Sequence, residues 1–270
     1  MDSIETVCKS LPFDLMRKRY PSDVTDEQWA RVAPIFELAR RGRPRTVPAR
    51  EIVNAILYVM KNGCAWRALP HDLPKWQTVF VQRWRWAVQG VFAQAFDALR
   101  PQEHKPRVGI IDSTFIESAY GGAQCAPNGY KRATGHGVHV LIDKQSRPLA
   151  FTVLPGNLQD AAGARALIPD AKRRHLSLGV VLGDKAYRQR PLQAEMAALS
   201  VHLDGDSLPL PKGATFRPIP MRWRIEQFFA WFCKWRRVAK NWCFTLTGFS
   251  TDVAWAVFGL SLRRVVNLTY

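Results

Sequence analysis

Apolar positions recur at helical spacing through the first hundred residues and then give way to short alternating or continuous apolar runs, which predicts a helical part followed by a mixed one. Thr25 and Gln28 form a capping box ahead of Trp29, Val32, Ile35 and Phe36, so a first helix should run to about residue 39. Pro48 suits a helix start, and Ile52, Ile56 and Val59 make one stripe ending at Gly63, a C-cap. A third helix is expected over residues 75–89, with Trp76, Val79, Phe80, Trp84 and Val88 inward and Gln77, Gln82, Arg83 and Arg85 outward. A fourth covers residues 92–100. Helices with these turns, the third showing Gln and Arg outward, fit a helix-turn-helix whose third helix enters the major groove.

Beyond residue 105 the period changes. A buried strand is predicted at residues 108–112, ending on Asp112, then a Gly, Pro and Asn loop at 121–129. Residues 137–143 and 149–154 read as a hairpin. Asp160 starts an alanine-rich helix to about 172, and residues 178–184 form another apolar strand, ending on Asp184. A helix at 191–199, a short strand at 200–203, a proline-broken loop at 208–220 and a basic amphipathic helix at 222–237 follow. The apolar run 253–262 belongs in a buried C-terminal helix, being too short to span a bilayer. This order predicts a ribonuclease-H-like fold, a mixed five-stranded sheet flanked by helices, behind an all-α helix-turn-helix domain. The expected division is a tail at 1–22, a DNA-binding domain at 23–105 and a catalytic domain at 106–270; the Arg17-Lys-Arg19 cluster reads as solvated.

Composition narrows the partners. The 270 residues are 47% hydrophobic, enough for a proper core, and carry a formal net charge of +17. That excess most often serves polyphosphate binding, with nucleic acid ahead of an anionic membrane surface. The five cysteines include no paired motif and read as reduced thiols of a cytoplasmic, nucleoid-associated protein. The Arg-Gly-Arg-Pro stretch with Arg41, Arg43 and Arg45 is too broken for a helix and is similar to the AT-hook, whose arginines lie in a narrow minor groove.

Acids at the ends of buried strands are costly unless paired, hydrogen-bonded or bound to metal. Asp112 and Asp184 occupy that position, and Glu226, from the basic helix, can complete a three-carboxylate cluster if the two strands are neighbours. Hard oxygen ligands select Mg²⁺ or Mn²⁺, and two such ions suit phosphoryl transfer.

Nearly the whole chain resembles the DDE transposases of bacterial insertion sequences, particularly the insertion-sequence family conventionally numbered five. The matching stretches are Thr25-Asp-Glu-Gln-Trp29, Gly42-Arg-Pro-Arg45, Ile56-Leu-Tyr58, Gly63-Cys-Ala-Trp-Arg67 with Leu69-Pro70, Ile111-Asp-Ser-Thr114, Asn157-Leu-Gln-Asp160, Gly183-Asp-Lys-Ala-Tyr187, and Arg222 with Glu226 followed by Phe228-Phe-Ala-Trp231. The resemblance implies Asp112, Asp184 and Glu226 as catalytic and metal ligands for two Mg²⁺ or Mn²⁺ ions. It further implies recognition of terminal inverted repeats, phosphodiester hydrolysis to free a 3′-OH, strand transfer by that hydroxyl, and action as a homodimer or higher oligomer. Candidate DNA contacts are Arg41, Arg43, Arg45, Gln77, Gln82, Arg83, Arg85, Lys185, Arg222, Lys234, Arg236 and Arg237, with Arg222 one turn before Glu226 and able to grip a phosphate bidentately. The family's third motif carries a tyrosine and a lysine where this chain has Ile219 and Cys233, with Lys234 next in line. Two other readings remain: a domesticated or impaired DNA-binding protein, repressor or architectural, and a repair or junction nuclease of the same fold.

Overall fold

The computed structural model describes residues 17–37, 45–101, 105–122, 124–129, 131–204 and 221–266. Among the described residues four α-helices come first: α1 (Asp26–Phe36), α2 (Ala49–Asn62), α3 (Trp76–Val88) and α4 (Val91–Ala98). The capping box on α1 is present with both of its bonds, and Gly63 ends α2 in the left-handed conformation at φ 71°. The second half supplies β1 (Val108–Glu117), β2 (Ala126–Asn128), β3 (Ala133–Asp143), β4 (Pro148–Pro155), α5 (Asp160–Arg174), β5 (Val180–Leu182), α6 (Arg190–Ala198), β6 (His202–Asp204), α7 (Trp223–Phe232), α8 (Arg236–Ala239) and α9 (Leu246–Val266). Among the described residues no helix is long and apolar enough to cross a membrane.

The strands form one mixed sheet in the order β2-β3-β1-β5-β6, with β4 also on β3. β1, β3 and β4 are antiparallel, while β5 joins β1 and β6 joins β5 in parallel. This is the ribonuclease-H-like arrangement, with one addition: β2 pairs with Ala133–Gly135 of β3 and β4 with His136–Ile142, so the two share one side of β3 and among the described residues the sheet has six strands rather than five.

The period-two alternation of the strands sorts the core onto two faces. Ile110, Val138, Val140 and Ile142 face a large helical cluster, and Ile111, Leu141 and Leu149 face α5 and α6. The helical cluster runs continuously from α1–α4 to α7 and α9, with Phe36, Trp86, Phe92, Trp255 and Phe258 in mutual ring contact.

Several expectations need correction. β1 does not stop at Asp112; it continues five residues to Glu117 because β3 keeps pairing with it down to Gly135. The basic helix breaks after Phe232, where Trp235 leaves helical geometry at ψ 91° and buries its ring against Gly259, which has no side chain to obstruct it. The Arg17 side chain is not solvated: it bonds Glu51 at 2.8 Å and Asp23 at 2.7 Å, satisfying two carboxylates that are otherwise costly to bury.

α3 is rotated from its expected setting. Val79, Gln82, Arg83 and Trp86 are buried, while Phe80, Val81, Trp84 and Val88 are exposed. The inward setting of Arg83 has a definite cause: its Nη1 bonds the buried Asp252 of α9, which also accepts from Arg237 Nε at 3.1 Å. Arg83 and Arg237 are therefore internal structural cations, and Gln82 is buried beside them on the same helix.

Candidate active site

Parallel pairing of β1 with β5 sets Ile110 opposite Leu182. Asp112 and Asp184 each follow that pair by two residues, past the end of β5, and Asp184 is close enough for its charge to act on Asp112. Each carboxylate is anchored by backbone: Asp112 Oδ1 accepts the Ser113 N–H at 2.8 Å, and Asp184, capping a single 3₁₀ turn over Lys185–Arg188, accepts the Ala186 N–H at 2.8 Å. Beneath them Tyr187 is fully buried against Gly183 and Ile111, and its hydroxyl has no hydrogen-bond partner.

Electrostatics mark this as an unbalanced acidic site. Burial pushes the Asp112 carboxyl up to about 6, opposed by the Ser113 N–H, reinforced by Asp184, relieved by Arg222 and raised again by Asp160. Burial also drives the Tyr187 phenol well above its ordinary value, with Asp160, Asp112 and Asp184 adding to the shift. Asp112 and Asp184 offer hard carboxylate oxygens, the donor type a divalent cation takes, and the mutual charge at Asp112 is one that a cation would relieve.

Glu226 stands apart. It lies in the first turn of α7 on the exposed side, while Ile225, Phe228, Phe229 and Phe232 seat the helix in the core. Among the described residues no three His, Cys, Asp or Glu side chains are close enough to share an ion. The structure thus brings Asp184 and Arg222 within electrostatic reach of Asp112, while among the described residues no cluster of three acids forms with Glu226.

The other candidate residues divide by exposure. Gln77, Arg85, Lys185, Lys234 and Arg236 are exposed, whereas Gln82, Arg83 and Arg237 are buried. Lys234 and Arg236, with Arg263, depress the Lys61 ammonium after burial has done so, which defines a basic patch whose Lys61 and Arg263 went unnoticed in sequence. Arg45 bonds the Phe36 carbonyl at 2.7 Å and lies 5.4 Å from the Trp86 ring centroid. Arg41, Arg43 and Ile219 lie outside the described residues. Sequence reasoning also missed the surroundings of Asp160, whose Oδ1 accepts the Ser113 hydroxyl at 2.6 Å with His139 Nδ1 3.9 Å away. The quoted Asn157-Leu-Gln-Asp160 stretch was the available signal.

The mixed sheet, in which β5 and β6 run parallel to β1 while β3 pairs antiparallel with both β1 and β4, is that of a ribonuclease-H-like protein. The family model described as "Transposase DDE domain" matches residues 103–247, and the chain belongs to that family. A second model, for transposases of the IS4/5 family, matches residues 24–96. Uncharacterized protein y4sN of Sinorhizobium fredii (strain NBRC 101917 / NGR234) is 30% identical over 112 residues, 41% of this chain and 84% of that protein. The catalytic domain of the Mos1 mariner transposase aligns at 12% identity over 69% of this chain and 91% of its own, with a TM-score of 0.32. The Mos1 mariner paired end complex with Mn aligns at 12% identity over 94% and 88%, with a TM-score of 0.31. The fold assignment rests on the strand order and directions of the sheet itself.

Proposed function

We propose that the protein is an insertion-sequence transposase that binds terminal inverted repeats, hydrolyses a phosphodiester at the element's end and transfers the freed 3′-OH to target DNA. The observation that supports this reading is the parallel pairing of β1 with β5, after which Asp112 and Asp184 each follow by two residues, with Asp112 pushed up to about 6 by burial and by the charge of Asp184. Asp112 and Asp184 would hold divalent cations, Mg²⁺ or Mn²⁺ and two in number, with Glu226 of α7 as the third ligand. Bound there, such ions lower the pKa of the attacking water or hydroxyl and steady the leaving oxygen.

The chain's own residues do the rest. Arg222, half-buried and close enough to relieve the charge of Asp112, orients the scissile phosphate. Lys185 beside Asp184, and the Lys61, Lys234, Arg236 and Arg263 patch, track the DNA backbone. Residues 23–105 form the part that recognises the repeats, with Gln77 and Arg85 of α3 reading bases, and residues 106–270 form the catalytic part. The protein acts as a homodimer or larger assembly on paired ends, in the cytoplasm at the nucleoid.

The test is Mg²⁺-dependent cleavage of a duplex carrying the inverted repeat. Asp112→Ala, Asp184→Ala and Glu226→Ala should each reduce cleavage to background while retaining DNA binding; full cleavage by all three overturns the reading. The lack of a three-acid cluster among the described residues, together with Cys233 at the lysine position, favours one alternative, a catalytically impaired DNA-binding protein. That alternative requires tight, repeat-specific binding with no cleavage by the unmodified protein.

A further inference from the structure

Asp160 begins α5 but does not cap it: Gln159 is the N-cap and makes no side-chain capping bond. An acid in a first turn has an ordinary explanation in the helix dipole, which needs no partner beyond the helix itself. Asp160 has two. Its Oδ1 accepts the Ser113 hydroxyl at 2.6 Å, and the His139 ring lies 3.9 Å away through Nδ1.

Ser113 and His139 stand directly opposite each other on β1 and β3, so both belong to the face that α5 covers. His139 is 1% exposed, and neither ring nitrogen has a hydrogen-bond partner. Two glycines make room for the ring: a side chain at Gly137 would sit 2.9 Å from Nε2, and one at Gly163 on α5 would overlap the imidazole. A buried imidazole without hydrogen-bond partners costs free energy, and the nearby Asp160 carboxylate, held by the Ser113 hydroxyl, eases that cost through its charge.

Ser113 links this arrangement to the active site. Its hydroxyl is committed to Asp160, while its N–H donates to Asp112 Oδ1 at 2.8 Å. Strand alternation puts the Asp112 side chain and the Ser113 side chain on opposite faces, so Asp160 does not join the Asp112 carboxylate directly. It fixes the one peptide N–H that aims it. We propose that Asp160 is a positioning residue for the Asp112 carboxylate, acting through Ser113 and steadied by His139. This inference rests on Asp112 being catalytic, and it gives the Asn157-Leu-Gln-Asp160 stretch a role.

Outer partners of metal ligands typically cost 10–100-fold in affinity or activity when removed. In Asp160→Ala and in Ser113→Ala the single-turnover cleavage rate at saturating repeat DNA should fall by about that factor, with the DNA dissociation constant unchanged. Mn²⁺ affinity of the DNA-free protein, followed by electron paramagnetic resonance, should weaken in parallel. Because both act along one chain of bonds, the double variant should be no worse than either single one, whereas independent sites would multiply. Ser113→Thr keeps the hydroxyl and should keep the rate. Should Asp160→Ala not fold, Asp160→Leu, which fills the space and offers the Ser113 hydroxyl no acceptor, must still weaken Mn²⁺ binding and slow cleavage, whereas Asp160→Asn keeps an acceptor and should lose less rate than either.

Wild-type rate and Mn²⁺ affinity in the Asp160 variant overturn the proposal, as do multiplicative effects or failure of Ser113→Thr to restore the rate. Asp112→Asn, measured alongside, separates the two levels. If it retains cleavage and Mn²⁺ affinity the catalytic reading fails; if it loses both while Asp160→Ala is normal, only the positioning role fails.

Discussion

Asp252 is enclosed in the core and Asp112 is partly buried on β1 just past its pairing with β5, and their surroundings are opposite. Asp252 is 1% exposed and accepts from Arg83, Arg237 and the Cys243 thiol, while Arg83 and Arg237 also lie over the Trp66 ring. It ties α3, α8 and α9 together with its charge answered from two sides. Asp112 is pushed upward first by burial and then by the charges of Asp184 and Asp160, with the Ser113 N–H and Arg222 in opposition. A buried acid with arginines around it is part of the framework, whereas a partly buried acid among acids stores an imbalance that a cation would relieve.

The largest effect expected from this contrast is on folding. Asp252→Ala leaves two buried guanidiniums without their carboxylate and should destabilise the protein by about 3–5 kcal/mol in denaturant unfolding, and Arg83→Ala should cost a comparable amount. Asp112→Ala should instead leave stability unchanged or raised. If Asp252→Ala unfolds no earlier than the unmodified protein, the contrast is wrong at its structural end.

Next in size is a pH effect with a defined direction. The Asp112 carboxyl titrates near 3.8 in the unfolded chain and near 6 in the folded one, so between these values the folded state holds the extra proton. Below about pH 4 both states are protonated and no penalty exists; above about pH 6 both are ionised and the penalty is complete. In divalent-free buffer the protein should therefore lose about 2–3 kcal/mol of stability as pH rises through this window. Asp112→Asn should lack that slope. An identical pH profile in the two proteins would show that Asp112 is not the group responsible.

The two acids also differed in how far sequence could reveal them. Asp112 and Asp184 were legible because each closes an apolar run, and a strand buried on both faces reads as a continuous apolar stretch. Asp252 was not, because its partner on α3 is 169 positions away and neither residue alone says it is paired. The same blindness inverted α3: counting apolar positions put Phe80, Trp84 and Val88 inside, and only the long-range ion pair shows that the Arg83 side is the buried one. β2 escaped notice since three residues including Pro127 inside a Gly and Asn loop carry no strand pattern. The extension of β1 past Asp112 depends on β3 as a partner rather than on Ser113–Glu117 themselves. Asp160 could be assigned to a helix start, but its bond to Ser113 joins residues 47 positions apart.

The smallest effects should distinguish the arginines of α3 from one another. Arg83 and Arg85 are two positions apart, yet one is 3% exposed and the other faces solvent. Arg85→Ala should change stability by no more than about 0.5 kcal/mol, because it removes no buried contact. Its signature belongs in DNA binding. A phosphate contact would appear as a fall of about 1 in the slope of log affinity against log salt, uniform across sequences, whereas a base contact would cost about 1–3 kcal/mol for the repeat alone. Lys234→Ala and Arg236→Ala, on the patch with Lys61 and Arg263, should follow the phosphate pattern. If Arg85→Ala and Gln77→Ala leave both slope and repeat preference untouched, the exposed face of α3 does not meet DNA. Its Phe80, Val81, Trp84 and Val88 would then require a different partner, and recognition of the repeats would have to come from elsewhere in residues 23–105.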